Sequence, residues 1–594
     1  MVAERAGTSQ RHVGRARGWL ADWGPALPLL ALLGMTLVAP IIVLLARSIS
    51  TADGIGLSAW SRVLGQQINQ RAIVTSIELG FVCATLSALI GTPIAWLVSQ
   101  MLAGRRAAWL GLFNVSAHFG GIGLAFAYVA SLGAFGMVTL LLRGLGLPLD
   151  PPSRDSFAAL VITYEHANIP LFVLLTVPAM GMLRHEWAEA AEAASASRLQ
   201  FWRRIGLPVL APFIAAGFVL SFTWSIGIFG IAYALVGQSA ALPVQLITLQ
   251  IGQSLTDDAV RGADRAAVLS VVLMVLAIGA LLIYRALLRR GMRWLAAGSS
   301  GMGSAPGRLR PQVGTGHRGA RIGRTLLFGS FTLYLGLPIA AVVLYSVASS
   351  WTSAALPDGY TLRYWVETFA SSRILGAFAT SLSLGVWTTL LVLALTVPAV
   401  YWARAKNPRV RPLLESAAAI PFALPFVVIG FALLQFSGIV APQLQGSYAL
   451  LLLAYVAISF PFVYWAIDGA MAAADVKRLS EVAASCGASA WQTIVKVVLP
   501  NIRTGVATAA MLAFALVIGE FALVSVLGGS IITISVWSAA AINATGGSLA
   551  PLSVVTTVVF ALLLVLSAAI AWVNRDRSTQ GLPVIAQTGP GIQH

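Results

Sequence analysis

Apolar runs of about 20 residues recur from one end of this chain to the other, and that is the length an α-helix needs to cross the hydrocarbon of a bilayer. Hydrophobic residues make up 58% of the 594 positions and charged residues 10%, whereas soluble domains carry roughly 45–50% and 25%. A soluble fold is excluded. Within lipid every backbone N–H and C=O must find a partner in the protein, so the chain must form helices or a closed barrel. The runs are continuous and lack the ten-residue alternation of barrel strands, which selects an all-α polytopic membrane protein.

Twelve spans are expected, at about 25–47, 72–101, 108–132, 156–182, 207–235 and 266–288, then 325–348, 377–403, 412–436, 448–471, 499–527 and 551–573. Between the sixth and seventh lies 289–324, with Gly298-Ser299-Ser300-Gly301 and Pro306-Gly307, which reads as a flexible connector. The expected organisation is therefore an N-terminal arm (1–24), a six-span unit (25–288), the connector (289–324), a second six-span unit (325–575) and a tail (576–594). The two units repeat one another. Thr75-Ser76, Leu79-Gly80 and Pro93 recur as Thr380-Ser381, Leu384-Gly385 and Pro398, and Tyr164 with Pro170 recurs as Tyr455 with Pro461 at the same spacing.

Charge orients the spans. The bases concentrate in the arm, the connector, the tail and alternate loops, including Arg105-Arg106, Arg203-Arg204, Arg289-Arg290, Lys406 and Lys477-Arg478, whereas the opposite loops 437–447 and 528–550 carry no charge. By the positive-inside rule both termini and these basic loops are expected to face the cytoplasm. The net charge of +17 thus belongs to topology and the membrane surface, and nucleic acid is not an expected partner. The first run follows Arg5, Arg11, Arg15 and Arg17 and is too long for a signal sequence, so it should remain as a span. Cys83 and Cys486 fall on different sides of the membrane boundary and have no metal-ligand spacing; no disulfide or metal site is expected.

Two loops carry the functional signal. Glu189-Ala190-Ala191, Ser195 and Leu207-Pro208 recur in the second unit as Glu481-Val482-Ala483, Gly487 and Leu499-Pro500, each copy between the fourth and fifth spans of its unit. Small residues permit close backbone approach, the Gly position ends a helix, and Pro fits the first turn of the next. Both loops resemble the Glu-Ala-Ala…Gly…Leu-Pro loop of the membrane subunits of binding-protein-dependent ABC importers, departing from it at Ser195 and Val482. The resemblance implies a type I importer permease whose two loops are coupling helices. Its partners would be two copies of an ABC ATPase, which hold the ATP and magnesium, and a periplasmic or lipid-anchored solute-binding protein. The chain itself is expected to bind no cofactor and to be no enzyme. Its only lysines, Lys406, Lys477 and Lys496, precede Asn407, Arg478 and Val497, so no nucleotide-binding Lys-Ser/Thr pair exists. The alternative is a twelve-span secondary transporter, which should show ionisable coupling residues at mid-bilayer.

Glu78, Asn114, His118, Glu165, His166, Asn168, Asp468 and Glu520 are the polar residues inside expected spans, costly in lipid and so turned toward protein or water. Glu165, His166, Asn168 and above all Glu520 are candidates for the translocation path. A continuous helix from Pro500 would carry Glu520 roughly 30 Å toward the outer face. Gly519-Glu520-Phe521 resembles a segment of permeases for ferric iron, thiamine, sulfate and molybdate, and the first unit has Gly227-Ile228-Phe229 instead. The fused two-copy form is most familiar for ferric iron and thiamine. Ferric iron is therefore the expected solute, with thiamine, polyamine (spermidine or putrescine) or phosphonate close behind.

Overall fold

The computed structural model describes residues 23–51, 54–147, 151–181, 183, 185–237, 244–254, 259–299, 318–351, 356–544 and 549–573. Among them ten helices are long and apolar enough to cross a membrane. Two bent pairs, Pro408–Pro421 with Phe426–Val440 and Ala490–Asn501 with Arg503–Gly519, bring the total to as many as twelve. The expected all-α polytopic architecture is present.

Three expectations need correction. The third spans are not continuous. One runs as Ala103–His118 and Gly121–Leu132, the other as Arg411–Ala423 and Phe426–Val440, the latter pair bent by 105°. The fifth spans break too, Leu207–Gly227 giving way to Gly230–Val236, and Arg503–Gly519 to Ala522–Leu527. The connector is shorter than drawn, because the sixth helix of the first half continues to Ser299 and the next starts at Arg318. Residues 300–317, the arm up to residue 22 and the tail from residue 574 lie outside the described residues.

Each half opens in the same way. A first helix leads into a two-stranded antiparallel hairpin, Ser50–Thr51 with Gly54–Ile55 or Ala348–Ser350 with Gly359–Tyr360. A short helix follows, Ser58–Gly65 or Arg363–Ala370, and then the long second span, Gln67–Ser99 or Ser372–Ala405. The repeated Ser of that span has a repeated task. The Ser76 hydroxyl accepts from the Ile247 N–H and the Ser381 hydroxyl from the Ile534 N–H, both at 2.9 Å. Each thereby satisfies a donor at the start of a short buried helix, Ile247–Gln253 or Ile534–Asn543, that would otherwise be orphaned in an apolar interior.

Candidate functional site

The two loops fold alike to the level of single hydrogen bonds. In the first, the helix His185–Ala193 ends where Ser195 takes φ +55°; in the second, Val476–Ser485 ends where Gly487 takes φ +79°. Ala196 N–H reaches back to the Ala191 carbonyl and Ser195 N–H to that of Glu192, at 2.9 Å each. Ala488 and Gly487 do the same to Ala483 and Ala484, at 3.1 and 3.0 Å. This is the Schellman helix ending, and it explains why the position favours Gly: the left-handed conformation costs a side-chain-bearing residue about 1–2 kcal/mol.

A capping box restarts the helix two residues later. The Ser197 N–H donates to Gln200 Oε1 and the Gln200 N–H to Ser197 Oγ; Ser489 and Gln492 repeat the pair. The Ser-x-x-Gln spacing is a legible signature that the sequence reading passed over. The new helix then widens into a π-turn, Trp202–Gly206 or Ile494–Val498, in which the Leu207 N–H bonds to the Trp202 carbonyl and the Leu499 N–H to that of Ile494. Pro208 and Pro500 are the cause, since each ring presses on the carbonyl four residues back and donates nothing itself. Gly34–Val38 widens in the same way ahead of Pro40.

Glu189 and Ala190 are exposed, as is Glu481, whereas Ala191 and Ala483 are buried. The third residue of each motif is therefore largely covered by the chain itself and offers a partner little surface. Leu207, Pro208 and Pro500 are exposed and Leu499 half-buried. Each loop is also tied to the second span of its half, by different chemistry. Trp96 meets Trp202 edge-on at 4.6 Å, while the Tyr401 hydroxyl pairs with that of Ser480 at 2.7 Å. Beside the first loop lies an open groove of roughly 660 Å³ lined by Trp187, Ala191, Ser195, Gln200, Phe201 and Arg204, among others.

The broken spans meet between the halves. Phe229 and Phe521, in register in the repeat, stack with centroids 5.6 Å apart and planes at 13°, and Tyr233 closes on Phe521 at 4.9 Å. Gly121 lies against the Gly519 carbonyl, 3.1 Å from where a Cβ would stand, and Gly227 lies against the Pro425 ring at 3.1 Å. The break in the third span of each half thus seats against the break in the fifth span of the other. Carbonyls freed by the fifth-span breaks are covered by neighbouring hydroxyls: Ile228 accepts from Thr248 at 3.3 Å and Tyr164 at 3.4 Å, and Glu520 from Ser535 at 2.8 Å. The roles of Phe229, Phe521, Gly121 and these hydroxyls at the breaks were not read from the sequence, although the repeated Tyr164 and the shared position of the two Phe were visible in it.

The polar candidates do not converge. Glu520 is 6% exposed, and both its carboxylate oxygens accept from the Leu523 N–H at 3.0 Å, capping the short helix that follows the break. The preceding helix starts at Arg503 after an 83° bend instead of running unbroken from Pro500. Glu165 accepts from Ser87 at 2.8 Å and Asn168 donates to Ser225 at 2.8 Å, joining the second, fourth and fifth spans of the first half. His166 faces elsewhere, its ring 6.3 Å from Phe119 and 5.7 Å from Tyr334. Neither of its nitrogens has a hydrogen-bond partner among the described residues. Asp468 is held by both arms of Arg404, at 2.5 and 2.6 Å, with Arg411 at 3.8 Å. Glu78 is exposed among Val74, Ile77 and Phe81, and the His118 side chain lies outside the described residues. Among the described residues no group of three His, Cys, Asp or Glu could hold a metal ion.

Residues 396–579 match the family model described as the binding-protein-dependent transport system inner membrane component. The molybdenum transport system permease protein ModB of Azotobacter vinelandii is 34% identical over 172 residues, 27% of this chain and 76% of that protein. The chain belongs to this ABC importer permease family. A probable ABC transporter permease protein, y4fN, of Sinorhizobium fredii is 24% identical over 419 residues, 69% of this chain and 71% of that protein. A putative 2-aminoethylphosphonate transport system permease protein, PhnV, of Salmonella typhimurium is 27% identical over 192 residues, 32% of this permease and 71% of that relative. Membership displaces the secondary-transporter alternative.

Proposed function

We propose that the chain carries both permease units of an ATP-driven importer and passes a small oxyanion between its two halves. The observation that carries the two-unit reading is the pair of loops with identical ending, restart and π-turn. In support, relatives such as ModB and PhnV are covered over about three quarters of their length by about a third or less of this chain. Each loop would dock one ABC ATPase on the cytoplasmic side, where the positive-inside rule also puts both termini. A periplasmic or lipid-anchored binding protein would deliver solute to the opposite face, and ATP and magnesium would be held by the ATPases alone. The path would run along the seam closed by Phe229 and Phe521.

An anion fits this seam better than ferric iron, thiamine or a polyamine. The N-terminal ends of Gly121–Leu132 and Phe426–Val440 lie at the breaks, and helix N-termini carry partial positive charge. Glu520, the carboxylate at these breaks among the described residues, is turned onto backbone N–H and offers little to a cation. Relatives are named for molybdenum, 2-aminoethylphosphonate and sulfate, and those names favour an oxyanion. Proteoliposomes holding the chain with its ATPase and binding protein should take up labelled molybdate, sulfate or phosphonate when ATP is supplied. Uptake of ferric iron in preference to all three would overturn the solute class, and uptake without ATP would overturn the mechanism.

A further inference from the structure

The second loop exposes three large apolar side chains. Trp491 is 67% exposed, Val482 58% and Val495 42%. Trp491 and Val495, four residues apart, share the outward face of their helix together with Gln492 and Lys496, while Thr493, Ile494 and Val498 are buried on the inward face. The corresponding positions of the first loop are Leu199 and Arg203. Leu199 is exposed to 77%, but the apolar pair has become an apolar and basic one.

Resting on the docking reading above, we infer that Trp491 is the anchor of the second loop, seated with Val495 in an apolar pocket of the ATPase whose rim is acidic. Several observations converge on that occupant. The ring projects from the first turn of a helix whose start is locked by the Ser489–Gln492 capping box, so little ordering entropy remains to be lost on binding. The approach is open, since a Cβ placed on Gly487 would meet nothing within 4 Å. Lys496 is exposed beside Val495, and Lys477 and Arg478 are exposed on the preceding helix of the same loop, a basic character that suits carboxylates at the edge of the receiving pocket and does not suit a basic surface. Trp at the centre of such a patch is the residue type that most often dominates an interface. The first loop, with Leu199 and Arg203, offers less apolar area and more charge. Its docking is the weaker of the two and the more sensitive to salt.

The test uses the full chain in nanodiscs and the ABC ATPase subunit that co-purifies with it, identified by its nucleotide-binding motif and then purified. Trp491→Ala should weaken ATPase binding at least tenfold, Trp491→Phe should restore most of it, and Leu199→Ala should cost no more than about threefold. Unchanged binding by Trp491→Ala, with loss of binding by Gly487→Arg, would overturn the anchor and leave the docking loops standing. Unchanged binding by both would overturn the docking reading as well. Brominated lipid offers an independent check, through the difference in fluorescence quenching between the wild-type chain and Trp491→Phe. Quenching of Trp491 that persists when the ATPase is bound would put the ring in the membrane surface and overturn the proposal.

Discussion

The third spans of the two halves break at the same place by different means. In the first half the break is Gly120-Gly121, with Gly121 at φ +66°; in the second it is Leu424-Pro425, where Leu424 is extended (φ −118°, ψ 129°) as the residue before a proline prefers. The fifth-span breaks agree more closely still. Ile228 (φ −67°, ψ 124°) and Glu520 (φ −77°, ψ 131°) share one conformation and differ in the side chain that serves it. The docking loops show the same pattern, Ser195 and Gly487 sharing a left-handed turn. What the repeat preserves is backbone geometry and the satisfaction of its hydrogen bonds. The residues that achieve it are free to differ, provided the local physics is met.

Interchanging the two solutions is the sharpest way to break this comparison. Gly487→Arg should have the largest effect, abolishing solute-stimulated ATP hydrolysis while the chain remains in the membrane, because a long charged side chain then fills the open approach to the second loop. Full stimulation with the ATPase still bound would show that the second loop is not a docking element. Next comes Gly121→Val, which puts a β-branched residue at positive φ and forces a Cβ against the Gly519 carbonyl. A loss of about 2–3 kcal/mol is expected, read as a lower unfolding temperature in detergent. Pro425→Ala should cost clearly less, and equal costs would mean that the two breaks are not alternative routes to one geometry.

Glu520→Ala removes the acceptor of the Leu523 N–H and should destabilise by about 1–2 kcal/mol, while Glu520→Gln keeps an acceptor oxygen and should leave both stability and uptake near wild type. Lost uptake with unchanged stability in the Gln variant would return Glu520 to the translocation path. The smallest effect is a gain. Ser195→Gly relieves a side chain held at φ +55° and should stabilise the first loop by up to about 1 kcal/mol, whereas Gly487→Ser should cost a similar amount. Thermal unfolding of the two variants side by side checks the sign, and a Ser195→Gly variant no more stable than wild type would argue that Ser195 makes a compensating contact with its surroundings.

Much of this protein was determined by its sequence alone. Apolar runs longer than any soluble helix requires leave the chain no fold but a bundle of spans, and the charge distribution, the internal repeat and the paired Glu189 and Glu481 loops are local patterns that need no neighbours to be read. The breaks could not be read in that way. Gly120-Gly121 and Leu424-Pro425 sit inside apolar runs that a hydropathy pattern cannot interrupt, and a broken helix in lipid is tolerable only where other parts of the chain cover the freed groups. Thr248, Ser535, Tyr164, Ser76 and Ser381 do so from distant positions. The same dependence on distant partners decided Glu520. As a carboxylate in an apolar run it could have lined a path, and only the break beside it, with the Leu523 N–H left unpaired at the next helix start, turned it into a cap. Tertiary structure also brought Phe229 and Phe521 face to face, because stacking across the seam of the two halves depends on how the broken spans seat against each other, and no spacing along the chain records that.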